Sequence, residues 1–560
     1  MRVHPRLAGS VALISALAAA ACSDEPIALG DTGDTGDTGE TGEPGTDTET
    51  GPDPDTETDT DPALPDLPPP DLPPEMIECA PVAGGPFWLL EGETVEFQIT
   101  CSTGLELPGD EFAITPLPSN ASYDPATATV SWTPTLTQAA VYHLDIEALP
   151  FAEHGSVKIG VADDFEHPNN VPVVDPLAYT EEYGLPVLFL DNDLGLNDDF
   201  YTPAAVTYAG ELYTAESKLR GASSLNYPKN SYTLKFAKDH KFTEPERAGG
   251  FLEKRKIVLT TTFDDNSYLR QRLAFELWNR LDPEHIQVQA YNAVVFVDRQ
   301  YWGLYMIGDH IDGYLMEDHG LWQDGNLYKA RTHDANFRLT KNDGNPKLTL
   351  HDGYTKSEGL PLEGDPGAFD DLDALVAFVA TADDVDFVAE LDTRIDQRDY
   401  EDWWIFVSAI SARDSGGKNT YHYHDPNGGP WRLIPWDFNH SFGQNWYTAR
   451  MDAYEVPESY RGRNELFGRM LDAPSIGPGL RQRYMAVLDD QYALEELLGL
   501  VDEWEQENLD CALRDVARWG DDYLGYGAWN WRTDFLTHEQ EVDYVRDWLT
   551  ERWAYLATLY

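Results

Sequence analysis

Arg413-Asp-Ser-Gly-Gly-Lys-Asn419 leads into Thr420-Tyr-His-Tyr-His424, an Asp425-Pro-Asn-Gly-Gly429 turn, Trp431-Arg-Leu-Ile434 and Pro435-Trp-Asp-Phe-Asn439, closing at Gly443. Two short aromatic and apolar runs around a Pro/Asn/Gly turn predict an antiparallel hairpin. Pairing 420–424 with 431–435 brings the open ends together, so Asn419 and Asp437 should lie side by side. Asp414, five residues before Asn419, reaches the same point. Two carboxylates and a carboxamide there suit Mg²⁺ and phosphate oxygens.

The arrangement resembles the protein-kinase constellation, in which an Arg-Asp followed five residues later by Asn supplies a base and a metal ligand, and a later Asp-Phe-Gly supplies the second ligand. Here Arg413-Asp414 pairs with Asn419, and Asp437-Phe438 is followed by Asn439 in place of Gly. A hairpin with ordinary polar turn residues is the alternative.

Outward from this centre, the chain has 560 residues, 99 acidic against 39 basic, and a net charge of −60. That balance excludes nucleic acid as a partner and disfavours an anionic membrane surface. Residues 1–21 read as a leader: Arg2 and Arg6 precede an apolar run too short to span a bilayer. The run ends Ala19-Ala20-Ala21-Cys22, which resembles a bacterial lipobox with Cys22 as the lipidated residue. Ordinary signal cleavage with an incidental Cys is the alternative. Either way the chain is expected to be exported, and a lipidated one anchored at a bacterial outer membrane or cell surface through that lipid alone. Residues 22–76 hold Gly-Asp-Thr repeats, then acidic Thr/Pro sequence with no Lys or Arg, as expected of a disordered stalk.

Residues 77–165 alternate as an all-β unit, in runs such as Thr94–Thr100, Thr127–Trp132 and Val141–Ile146. They resemble the immunoglobulin-like domains of bacterial surface proteins. Cys79 and Cys101 fall here and are free to form a disulfide in an exported chain; Cys511 is left over and expected to be buried. Residues 172–560 read as one α+β unit, with strands first (Leu185–Leu190, Pro228–Phe236, Ile257–Thr261, Ala290–Val297, Tyr301–Ile307) and helices later. Leu269, Leu273, Leu277 and Leu281 mark a helix that Ser267 is placed to cap.

Several motifs in order resemble the CotH family, spore-coat and related exported proteins with an atypical kinase-like fold. They are Arg220-Gly-Ala-Ser-Ser224, Lys229-Asn-Ser-Tyr232, Leu234-Lys-Phe236, Asp265-Asn-Ser-Tyr-Leu-Arg270, Gly303-Leu-Tyr305, Asn326-Leu-Tyr-Lys329, and Asp414…Asn419…Pro435-Trp-Asp-Phe438. The resemblance implies a two-lobed kinase-like domain preceded by the immunoglobulin-like sandwich. It also implies transfer of the ATP γ-phosphoryl group, with Mg²⁺ or Mn²⁺, to Ser/Thr of surface or secreted proteins, by a monomer.

Carried over, Asp414 is the catalytic residue, and Asn419 and Asp437 hold metal. Arg220, Gly221, Ser223 and Ser224 form the phosphate-covering loop. Lys229, or next Lys235, meets the phosphates, with Glu276 as its ion-pair partner. The sequence departs from the family at Ala222, Asn230 and Asn439, and Asn439 removes a charge where the family usually has an acid. The competing reading is a kinase-like scaffold serving as a surface adhesion or matrix-binding protein. Zinc at His422 and His424, calcium at Asp191–Asp199, and sugar stacking on late aromatics (Trp446, Tyr447, Tyr526, Trp529, Trp531) are weaker alternatives.

Overall fold

In the computed structural model, residues 78–559 are described, apart from 171–173, 193–194 and 248–249. The leader, Cys22 and the acidic stalk lie outside the described residues, as does part of the acidic 191–199 segment.

The first unit has two small sheets that share one core. One sheet runs Phe87–Leu90, Glu153–Ala162, Ala140–Ala148, Phe112–Thr115; the other runs Val95–Gln98, Thr129–Trp132, Ser122–Asp124. Alternation along each strand turns Phe97, Val130, Trp132, Leu144, Ile146, Val157 and Ile159 into that core. Cys79 and Cys101 are disulfide-bonded at its edge.

The large unit is mixed α+β, built on a sheet that closes. Leu185–Asp191, Thr202–Tyr208, Glu211–Arg220, Ser231–Phe236, Lys256–Thr261, Gln300–Asp309 and Ala290–Val297 are neighbours in that order. The last of these pairs back, parallel, onto the first, Val187 opposite Val294 and Leu190 opposite Val297. Leu188, Leu190, Tyr232, Leu234, Phe236, Ile257, Leu259, Ala293, Val295 and Ile307 fill the inside. The alternate residues point out. Val187, Phe189, Val294 and Phe296 pack against Cys511 and Ala512 of the long helix Leu494–Gly525. Val258 and Met306 pack against Tyr421, Ile434 and Trp436. Strands buried on both faces explain the unbroken apolar run Leu185–Leu190.

The second contact surface is a four-stranded sheet, Tyr354–Glu358, Asn326–Ala330, Thr420–His424, Arg432–Pro435, with the predicted hairpin as its last two strands. Helices Asp370–Thr381, Asp384–Arg394, Gln397–Ala409, Glu465–Asp472, Gly477–Asp489 and His538–Leu556 surround it. The helix Arg270–Leu281 forms where its leucines place it, and Leu269, Leu273, Leu277 and Leu281 are all buried. Ser267 is not its N-cap; that position is Leu269, and the Arg270 amide donates to Asp265 Oδ2 at 2.9 Å. No helix among the described residues is long and apolar enough to cross a membrane.

Candidate active site

Hairpin closure sets the centre of the site. Thr420 stands opposite Pro435, and the Trp436 amide donates to the Asn419 carbonyl at 2.9 Å. Just beyond the paired residues, Asn419 and Asp437 both adopt left-handed backbone, φ 61° and 65°. Asn and Asp tolerate that region better than other side chains, and such strain concentrates at functional positions. Asn419 Nδ2 donates to Asp414 Oδ2 and Ser415 Oγ, both at 3.3 Å, and to the Asp437 carbonyl at 3.2 Å. The carboxamide therefore ties together the three segments expected to meet. Its Oδ1 and the exposed Asp437 carboxylate have no protein partner among the described residues.

Those free oxygens are a fitting donor set for Mg²⁺, which binds one or two carboxylates and takes its remaining oxygens from phosphate and water. No group of three or more His, Cys, Asp or Glu among the described residues forms a metal cage. His422 is fully buried against Tyr400, and burial pushes its pKa down to about 3. His424 bonds to Asp371 at 2.7 Å.

Asp414 is held on both sides, by His333 Nε2 at 3.2 Å and Lys418 Nζ at 2.8 Å. Burial favours its neutral form, but His333 and Lys418 outweigh burial and hold the carboxyl well below the usual carboxylate range. It is a poised anion, suited to orienting a hydroxyl.

Sequence reasoning missed Asp264. It lies in the turn after strand Lys256–Thr261 and accepts from Asn439 Nδ2 at 2.7 Å and Tyr227 OH at 3.1 Å. His440 Nε2 stands 3.4 Å away. Burial works against the His440 cation, yet Asp264, Asp437 and Asp414 raise its pKa. Where Asn439 lacks an acid, Asp264 brings a carboxylate to the same wall of the site. No local pattern marks it, because it arrives from 175 residues earlier.

The 220–226 loop lies over this centre. The Arg220 guanidinium stacks on the Trp436 ring, 4.5 Å from its centroid. Gly221 has φ 135°, and a Cβ there would sit 2.1 Å from Ser224 Oγ. Ala222 and Ser223 are exposed, and Ser223–Asn226 is a short 3₁₀ turn. Asn230 Nδ2 donates to the carbonyls of Ser224, Leu225 and Tyr227, so this departure from the family braces the loop.

Two expectations fail here. Lys229 is fully buried behind the loop, 2.6 Å from both Asp515 Oδ1 and the Leu304 carbonyl. Burial lowers its pKa, opposed by Asp515. Committed to Asp515, it is not available to a nucleotide, and Glu276 is not its partner. Glu276 instead pairs with Arg280 one helical turn away, at 2.7 Å. Lys235 bonds to Glu216 at 2.8 Å on the outer face of the barrel.

The outer face of the barrel toward the second sheet carries lysines, two of them paired with carboxylates. Lys218 and Lys235 flank the Tyr201 ring at 5.7 and 5.4 Å, and Lys256 pairs with Asp312 at 3.2 Å. Across from them, Lys329 stands 5.8 Å from the Trp436 ring. Of the late aromatics, Tyr526 and Trp529 pack on Tyr227 and Phe263, whereas Trp446, Tyr447 and Trp531 are about half exposed.

Over 299 residues the chain is 24% identical to inner spore coat protein H of Bacillus subtilis (strain 168), covering 53% of this chain and 77% of that protein. Residues 218–556 match the family described as CotH kinase protein. The match takes in the 220–226 loop, the hairpin and the C-terminal helices alike, so this chain belongs to the CotH family.

Proposed function

We propose that this chain is a kinase-like phosphotransferase of two lobes, moving the ATP γ-phosphoryl group to Ser or Thr hydroxyls of surface or secreted proteins. The barrel is the upper lobe, the second sheet with its helices the lower, and the lysine-bearing face between them the nucleotide cleft. One observation carries the reading: Asn419 ties Asp414 to Asp437 at the open end of the hairpin. Phosphoryl transfer asks mainly for positioning and charge neutralisation, which this arrangement offers.

In that reading Asp414 orients the acceptor hydroxyl and takes its proton late, as befits a strongly anionic carboxylate. Asn419 Oδ1 and the Asp437 carboxylate hold the metal. Bound Mg²⁺ would neutralise charge on the phosphate oxygens. Gly221 to Ser224 bring backbone N–H groups over the phosphates. Cys22 would anchor the exported chain by lipid, the acidic stalk would hold the catalytic unit off the surface, and the immunoglobulin-like sandwich would act as spacer. The Bacillus relative is by name a spore-coat protein, which favours a surface setting.

The test is Mg²⁺-dependent ATP binding and autophosphorylation by the full chain, beside Asp414→Ala and Asp437→Ala. Incorporation by the parent and its loss in both folded variants is the expected result. Failure of the parent to bind nucleotide with either Mg²⁺ or Mn²⁺ would sink it. The second reading, a surface adhesion scaffold, is favoured by Asn439 standing where the family carries an acid; it would then take precedence, with the sandwich as the place to seek a ligand.

A further inference from the structure

Of the side chains that hold Asp414, His333 alone comes from outside its own loop. Oδ2 lies 2.8 Å from Lys418 Nζ and accepts from Asn419 Nδ2 at 3.3 Å. Oδ1 lies 3.2 Å from His333 Nε2 and has no other partner among the described residues.

The backbone around His333 is tightly tied. His333 lies in the connection 331–353, between strands Asn326–Ala330 and Tyr354–Glu358. The Arg331 amide donates to the Gly353 carbonyl at 2.8 Å, and the Ala335 amide donates to the Thr332 carbonyl at 3.0 Å, closing a turn with His333 at its second position. Asp334 Oδ1 takes the Asn342 amide at 2.8 Å, and the Asn336 carbonyl takes the Glu465 amide at 2.9 Å. Gly353 has φ 100°, and a Cβ there would meet the Ala335 nitrogen at 2.3 Å. Ala335, Asn336 and Phe337 are buried, and a Cβ on Gly417 would come within 3.1 Å of the Ala335 carbonyl. The 331–337 segment is thus seated on the loop that carries Asp414. Its imidazole nevertheless stays 35% exposed, with Nδ1 unpartnered among the described residues. Packing does not account for a half-open ring on so fixed a backbone.

We propose that His333 is a positioning residue for phosphoryl transfer, turning the Asp414 carboxylate so that the free lone pair of Oδ1 meets the acceptor hydroxyl. The proposal rests on the kinase reading and deepens it. A carboxylate oxygen accepts along two lone-pair directions. Those of Oδ2 are taken by Lys418 and Asn419; one of Oδ1 remains, beside the imidazole. In the transfer, the acceptor oxygen bonds to the γ-phosphorus as the bond from that phosphorus to the ADP oxygen breaks. The electron pair leaves on ADP, and the hydroxyl proton passes to Asp414 Oδ1. His333 takes no proton in this step. What it supplies is orientation, on which such a step depends steeply.

The experiment is single-turnover autophosphorylation of the full chain at saturating Mg²⁺-ATP, with ATP affinity measured separately by titration calorimetry. His333→Ala should lower the rate about tenfold or more, with ATP affinity within about twofold of the parent. His333→Gln can place an amide N–H where Nε2 stands and should keep most of the rate. His333→Asn is one methylene too short and should behave as the alanine variant, so it carries the test if His333→Ala does not fold. Imidazole added to His333→Ala should restore part of the rate, an effect that lost packing would not show. A folded His333→Ala with the parent's rate, a glutamine variant no faster than the asparagine one, or ATP affinity falling in step with rate would overturn the positioning role and leave the kinase reading standing. A parent chain that incorporates no phosphate would remove both.

Discussion

At the scale of single residues, the open end of the hairpin gathers Asp414 and Asp437 around Asn419. Asp414, Asn419 and Asp437 are fixed by turn chemistry and hairpin register, both local, and the pairing of Thr420 with Pro435 brings them together as the spacing demands. Lys229 looked like a phosphate ligand because a lysine's partner cannot be read locally when it lies 286 residues away. Asp414→Asn should lower phosphoryl transfer by about 10²-fold or more in a chain that still folds, read by phosphate incorporation. The pH dependence of its stability follows from the direction of its shift. Burial would raise its pKa, but His333 and Lys418 prevail, so the folded value lies below the unfolded value of about 3.9. Its stabilisation is complete above that unfolded value and is lost as pH falls through the folded one. The gap in urea midpoint between parent and Asp414→Asn should therefore be full at about pH 5 and shrink below about pH 4. Gly221→Val should displace the loop, since its Cβ meets Ser224 Oγ at 2.1 Å and φ is 135°. The readout is weaker ATP binding with little change in melting temperature.

At the scale of elements, alternation and leucine spacing marked most strands and the Arg270–Leu281 helix, but not how the strands join. The parallel pairing of Val187–Leu190 with Val294–Val297 closes the barrel and leaves no mark within either segment. Nor does the sequence near Lys229 foretell the helix that answers it. Asp515 on Leu494–Gly525 takes Lys229, the Leu304 amide and Tyr268 OH, and lies so close to Gly303 that any Cβ there would meet its Oδ1 at 2.0 Å. Asp515→Leu alone strands a buried ammonium and should cost about 3–5 kcal/mol in chemical denaturation. Adding Lys229→Met should return a large part of that loss. A double-mutant cycle with no coupling would show that the pair does not staple helix to barrel.

At the scale of the molecule, composition announced an acidic chain with a β-rich front and an α+β body, and the described residues have that order. The seam between the two is specific. Phe165 stacks on Tyr301 at 4.3 Å, and Arg514 reaches the Asp163 carbonyl and Glu182, both at 2.7 Å. Joint replacement of Cys79 and Cys101 by Ser should lower stability of the first unit by about 2–4 kcal/mol, seen as a transition shifted down in temperature, with phosphate incorporation unaffected. The tie between Lys229 and Asp515 also bears on how the chain is made. Synthesis runs from the amino end, so every barrel strand leaves the ribosome long before the residue that neutralises its buried lysine. Nascent chains halted short of Leu494 should present a barrel open to protease, and the large unit should become resistant only once its final helices have been added.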